Sequence, residues 1–243
     1  MKLKKINEIR VYQMNEESLL LMNTKNITRD LVLLDLYHKD IVFYLAPSLL
    51  FLNAIGASMV INLVLNNKIA IDDNKNIKVL DETSNRTYNS IVLDYIIKNK
   101  ITSVQKLAQE LFVDVDFSFK LYDLVINELV EEKVIEVKTE KRFIFNKNTI
   151  KLTDPEQVRS AYQKLYDSLF KDEKPDELIA LAVLIDSFFD LNQYFDKEVQ
   201  DNVEHALNEM KKDKLFADIK AFKDVVDEFY LLSAQQNGAY WSY

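Results

Sequence analysis

The chain has 243 residues and a formal charge of -8, with 48% hydrophobic and 29% charged side chains, two glycines, three prolines and no cysteine. That balance excludes a disordered chain, a disulfide scaffold and any thiolate metal site. So few glycines and prolines disfavour a fold built on tight turns and favour helices.

The absence of cysteine suits a reducing cytoplasm. The first ten residues, MKLKKINEIR, are basic, but no apolar run with small residues follows, so a cleaved signal peptide is not expected. The charge is uneven. Residues 172 to 243 hold 16 acidic against 7 basic side chains, a net of -9, which leaves about +1 for the first 171. Contact with an anionic surface is therefore expected of the earlier part.

In chain order, residues 1 to 28 read as a partly ordered extension. They combine a basic arm (Lys2, Lys4, Lys5, Arg10) with the apolar cluster Leu19 to Met22. From Asp30, LVLLDLYHKDIVF reads as a helix followed by a short turn or strand. Ile41 to Asn67 then runs for 27 residues without a charge. About 20 apolar residues suffice to cross a bilayer. Within this stretch, however, Pro47, Ser48, Asn53, Ser58 and Asn62 would each face hydrocarbon, at a cost of several kcal/mol wherever a partner is missing. A helix buried in a protein core fits better, with Pro47 as its first residue and its end near Asn66. The segment KIAIDDNKNIKVLD switches to period two around Asp72, Asp73, Asn74 and Asn76, a hairpin signature.

Tyr88 to Phe145 carries three helical patterns. Thr102 or Ser103 caps the second, and Phe119, Tyr122, Ile126, Leu129 and Val130 line one side of the third. VIEVKTEKRFIF follows as a hairpin turning at Thr139 to Lys141. Three helices and a hairpin outline a winged helix, so a DNA-binding or regulatory protein stands as the alternative reading. Its recognition helix offers Lys120 and Lys133 against Asp116, Asp123, Glu128, Glu131 and Glu132, which would repel a duplex, and no nucleic-acid partner is expected.

Asp154-Pro155-Glu156 starts a further helix. Pro175 with Asp176 and Glu177 repeats the device before LIALAVLIDSFFDLNQYF, apolar on nearly every side and read as the central helix. Amphipathic helices near 197 to 211 and 218 to 235 follow. The fold class expected is mainly α: a single-domain helical bundle with a central apolar helix and two peripheral β-hairpins.

Nothing in the chain marks a catalyst. It has no glycine-rich phosphate loop, and its two histidines, His38 and His205, lie in different regions without partner motifs. Asp72 with Asp73 reads as a turn and Glu131 with Glu132 as a helix end. Neighbours on a helix point about 100° apart, which does not suit a metal pair. No enzyme, metal or cofactor is expected.

The segments NAIGASMVINLVLNNKIAI, then a hairpin, then LVEEKVIEVKTEKRFIF, then DELIALAVLIDSFFDL resemble in order and spacing the Golgi phosphoprotein 3 family. The resemblance runs from about Leu31 to Leu232. It implies a helical domain over 29–243 with peripheral hairpins. In eukaryotic members it implies a peripheral membrane protein that binds phosphatidylinositol 4-phosphate and retains glycosyltransferases in the Golgi. The Trp and three Arg of that head-group pocket fall here on Pro47, Gly56, Phe119 and Tyr122. A phosphomonoester is normally met by forked guanidinium donors or by Lys, so specific recognition of this lipid is not expected.

Lys141, Arg142, Phe143, Ile144 and Phe145 correspond to an apolar hairpin that the family links to oligomerisation and membrane contact. The candidate lipid-binding residues are thus Lys141, Arg142, Phe143 and Phe145, with Lys2, Lys4, Lys5 and Arg10. A non-catalytic adaptor is expected, cytoplasmic or peripheral on the inner face of the membrane. Its partner would be an anionic, phosphoinositide-type surface, another protein or a second copy of the chain. The preference for Lys, Asn and Ile over Arg, Gly and Ala points to an AT-rich, bacterial genome.

Overall fold

The uncharged stretch forms helix α2 (Leu49–Leu65), and 14 of its 17 residues are buried. Ser48 is its N-cap, the side-chain oxygen accepting from the Phe51 N–H at 3.2 Å. Pro47 therefore stands one residue before the cap rather than at the first helical position. The reason is that serine supplies the acceptor that an orphan N–H needs and proline cannot.

The computed structural model describes residues 26–37, 42–44, 47–83, 87–141, 146–172, 174–189, 191–212 and 224–231. Around α2 lie α1 (Ile27–Tyr37), α3 (Thr87–Lys98), α4 (Val104–Val113), α5 (Val115–Glu131), α6 (Pro155–Phe170), α7 (Asp176–Phe188), a 3-10 turn (Leu191–Tyr194), α8 (Lys197–Lys212) and α9 over 224–231. Of these, α1, α3, α4, α5 and α7 all pack on α2. The bundle is mainly α, as expected, but the helix at its centre is α2, on which five helices pack, and not the apolar run after Pro175 that the sequence singled out. Among the described residues no helix is long and apolar enough to cross a membrane.

The polar residues of α2 find protein partners. Asn62 Nδ2 donates to Thr28 Oγ1 at 2.7 Å, its Oδ1 accepts from the Ile27 N–H at 3.1 Å, and Ser58 Oγ lies 2.9 Å from Thr28 Oγ1. Asn26, Ile27 and Thr28 are all buried, so the helical body takes in residues ahead of Arg29. From α1, Arg29 pairs with Glu132 and reaches Gln157, while Lys164 of α6 donates to Asp30 at 2.8 Å.

Two small antiparallel sheets flank the helices. One is the expected hairpin, β2 (Ile69–Ile71) with β3 (Ile77–Val79). The other has the order β1-β5-β4, joining β1 (Val42–Tyr44) to β4 (Ile135–Lys141) and β5 (Asn146–Leu152). The second hairpin corrects the sequence reading, because Thr139, Glu140 and Lys141 are strand residues paired with Asn148, Lys147 and Asn146. Their polarity looked like a turn, yet polar residues are at home on a strand whose partner is also polar.

The long apolar run after Pro175 also divides. α7 ends at Phe188, Phe189 is extended, and Leu191–Tyr194 forms the 3-10 turn. Asp154 and Ser103 cap α6 and α4 as expected.

Candidate functional site

Two places in this fold correspond to the expected sites, and the structure treats them differently. The four residues onto which the resemblance maps a head-group pocket, Pro47, Gly56, Phe119 and Tyr122, lie on or beside the packed helices. Gly56 faces Phe229 of α9 so closely that a Cβ there would come 2.7 Å from the ring's Cε1. A longer side chain at Gly56 is incompatible with that packing, because real Cβ atoms do not approach a ring atom so closely. Tyr122 is buried in an edge-to-face contact with Phe51, ring centroids 6.1 Å apart, and Phe51 meets Phe189 at the same separation. Phe119 is half-buried against the core and Pro47 is partly exposed beside the α2 cap. These positions build apolar packing, which offers a phosphate no cation.

The β4–β5 hairpin is the second place. From Ile135 to Leu152 the sequence holds five basic and two acidic residues, a net of +3 in a chain of -8. Pairing places Lys138 opposite Thr149, Glu136 opposite Lys151 and Glu140 opposite Lys147. The alternate register positions, Ile135 with Leu152 and Val137 with Ile150, carry the apolar row that faces the helices. One side of the ribbon is thus anchored and the other bears charge. Lys138 and Glu136 are exposed and lie 3.8 Å apart at their charged atoms. The sequence reading found Lys141 and missed Lys138, Lys147 and Lys151. The last two belong to a strand that the misplaced turn had cut off.

Of the other candidates, Lys141 is the last residue of β4. Arg142, Phe143, Ile144 and Phe145 lie outside the described residues, as do Lys2, Lys4, Lys5, Arg10 and His38. His205 is exposed on α8.

In each acidic pair one member has a structural role, Glu132 pairing with Arg29 and Asp72 shaping a turn. Asp72 Oδ1 accepts from the backbone N–H of Asn74 at 2.9 Å and of Asn76 at 2.8 Å, closing the β2–β3 turn. Among the described residues no group of three or more acids or histidines could hold a metal ion.

The winged-helix outline is present as α3, α4 and α5 followed by the hairpin. Even so, α5 turns Leu121, Tyr122, Val125, Ile126 and Leu129 inward and exposes Asp116, Asp123 and Glu131 with Lys120. Val130, expected on the inner side, is 38% exposed. Burial pushes the Asp123 carboxyl above its ordinary range. A helix with this surface repels phosphate at the pH of a cell.

The fold and its hairpin define a class: a helical body around one apolar helix, edged by a basic antiparallel ribbon. A family model described as Golgi phosphoprotein 3 (GPP34) matches residues 27–229, and the chain belongs to that family. A search of curated proteins finds no match.

Proposed function

We propose that the chain is a non-catalytic adaptor that associates reversibly with an anionic membrane surface through its β4–β5 hairpin. The observation that carries this reading is the concentration of positive charge on that ribbon in a protein whose total charge is -8. Each basic residue close to an anionic leaflet contributes about 1 kcal/mol, and the attraction fades within a Debye length. Phe143, Ile144 and Phe145 lie in sequence between the two strands and supply apolar groups able to enter the interface. Several weak charges with a few rings give binding that salt reverses. The arm carrying Lys2, Lys4, Lys5 and Arg10 adds to the same attraction.

The reading does not extend to selective capture of phosphatidylinositol 4-phosphate, since no guanidinium stands at Pro47, Gly56, Phe119 or Tyr122. Its location would be the cytoplasmic face of a membrane. A protein partner or a second copy of the chain could share the ribbon without changing this chemistry.

Sedimentation with vesicles tests the reading. The chain should pellet with phosphatidylserine-containing vesicles at low salt, stay in solution with phosphatidylcholine alone, and leave the anionic vesicles at high salt. No binding to anionic vesicles at low salt overturns the reading, and a shift of duplex DNA under the same conditions would favour the winged-helix alternative.

A further inference from the structure

We propose that α9 is a latch, able to release from the helical body as a unit while the rest of the bundle stays folded. Its apolar hold among the described residues rests mainly on three side chains, Val225, Val226 and Phe229, all at 1% exposure or less. Phe229 sits over Gly56, where the helix surface has no side chain, so its fit is a ring against bare backbone. At the far end Tyr230 meets Phe188 edge-to-face at 5.9 Å, yet Tyr230 and Leu231 remain 43% and 52% exposed.

The other hold is ionic. Lys75 Nζ donates to Glu228 Oε1 at 2.8 Å and lies 3.9 Å from Asp224 Oδ1, two carboxylates one helical turn apart. Lys75 is itself fixed. It takes a positive φ of 61° in the β2–β3 turn, its N–H donates to the Asp72 carbonyl at 2.9 Å, and its carbonyl accepts from the Val104 N–H at 3.0 Å. The turn therefore presents the ammonium to α9 whether or not α9 is docked. The ammonium is partly exposed, so salt screens the pair.

Among the described residues, the centre of the bundle meets α9 at Gly56 and has its other holds elsewhere. α2 keeps its Ser48 cap, the Asn62–Thr28 bond and five other helices against it. Local opening of this kind is expected where a short segment is held by few apolar contacts. Release would open a cleft floored by Gly56 and edged by Lys75 freed from both carboxylates.

Amide hydrogen exchange on the whole chain tests the latch. The α9 amides should exchange at least tenfold faster than those at the centre of α2. Lys75→Ala, or a rise in salt, should speed α9 roughly fivefold further and leave α1, α2 and α7 unchanged. Gly56→Ala should strip protection from α9 while α2 keeps its own. The proposal is overturned if α9 exchanges at the rate of α2, or if Lys75→Ala and salt leave α9 exchange where it was. Lys75 lies on a surface turn, so its variant decides the matter even where Gly56→Ala does not fold.

Discussion

Asn62, near the end of the central helix, donates through Nδ2 to Thr28 Oγ1 in the first turn of α1 at 2.7 Å, with both residues fully buried. Its Oδ1 also takes the Ile27 N–H, one of the orphan donors at the start of α1. One amide therefore solves two problems, a polar group inside α2 and an orphan donor of α1 that the Asn26 cap, which accepts from the Arg29 N–H at 3.3 Å, leaves over. Asn62→Leu keeps the volume but leaves the Ile27 N–H without this acceptor. Asn62 Nδ2 also donates to Asn26 Oδ1 at 3.3 Å, and since burying an unsatisfied donor costs about 1–3 kcal/mol, a loss of roughly 2–4 kcal/mol is expected for the three bonds together. Urea denaturation followed by circular dichroism measures it, and an unchanged midpoint would show that these bonds contribute little.

The Asp30–Lys164 pair ties α1 to α6, with Asp30 buried and Lys164 mostly so. Removing only the lysine strands a carboxylate in a poorly solvated place, and breaking such a pair costs about 3–5 kcal/mol when burial is complete. Lys164→Met should destabilise by about 2–4 kcal/mol, the partial exposure of Lys164 lowering the figure. The double variant Asp30→Asn with Lys164→Met should regain part of the loss, because the charge is gone as well. Thermal unfolding of the three variants gives the comparison, and a double variant weaker than Lys164→Met would contradict it.

Much of this architecture was legible because single residues announce it. Ser103 and Asp154 cap helices, and Asp72 with Asn74 and Asn76 closes a hairpin, through contacts only a few residues apart. The buried nature of α2 was legible from Asn53, Ser58 and Asn62, which are tolerable only where a protein supplies partners. What failed was long-range. The strand Val42–Tyr44 joins β5 across about a hundred residues, and no local pattern in either reports the other. Thr139 to Lys141 looked like a turn because their partners, Asn146 to Asn148, lie beyond the loop and are also polar. The break after Phe188 carries neither glycine nor proline. The candidate site followed the same rule, since Lys147 and Lys151 join Lys138 only through the register of the sheet, which sets Lys141 in the other of the two alternate rows.

Asp81 gives a pH-dependent element. Lys68 Nζ donates to its Oδ2 at 2.5 Å, and Thr83 donates to Oδ1 through both its N–H and its hydroxyl. The hydrogen bond from Lys68, followed by those from Thr83, holds the carboxyl down at about 2, against an ordinary 3.8. A depressed carboxyl favours the folded state above its ordinary value, and the contribution is lost as pH falls from 3.8 through about 2. Carboxyl-detected NMR should place its midpoint near the lower value. Lys68→Met should move the midpoint up toward the ordinary value, and a wild-type midpoint near 3.8 would refute the assignment.

The hairpin prediction turns on charge rather than on fold. Lys138 and Lys151 stand on adjacent strands and are exposed, so Lys138→Glu with Lys151→Glu should leave the unfolding midpoint nearly where it was. Each reversal removes an attraction of about 1 kcal/mol near an anionic leaflet and adds a repulsion of similar size. Together the two amount to about 4 kcal/mol and should weaken binding to phosphatidylserine vesicles by several hundredfold, since about 1.4 kcal/mol is a factor of ten. Lys106→Glu with Lys120→Glu, exposed on α4 and α5, makes the same change in net charge away from the ribbon. If both double variants lose the same affinity, the protein responds to total charge and the ribbon has no special place. If only the hairpin variant loses it, the contact lies on β4 and β5.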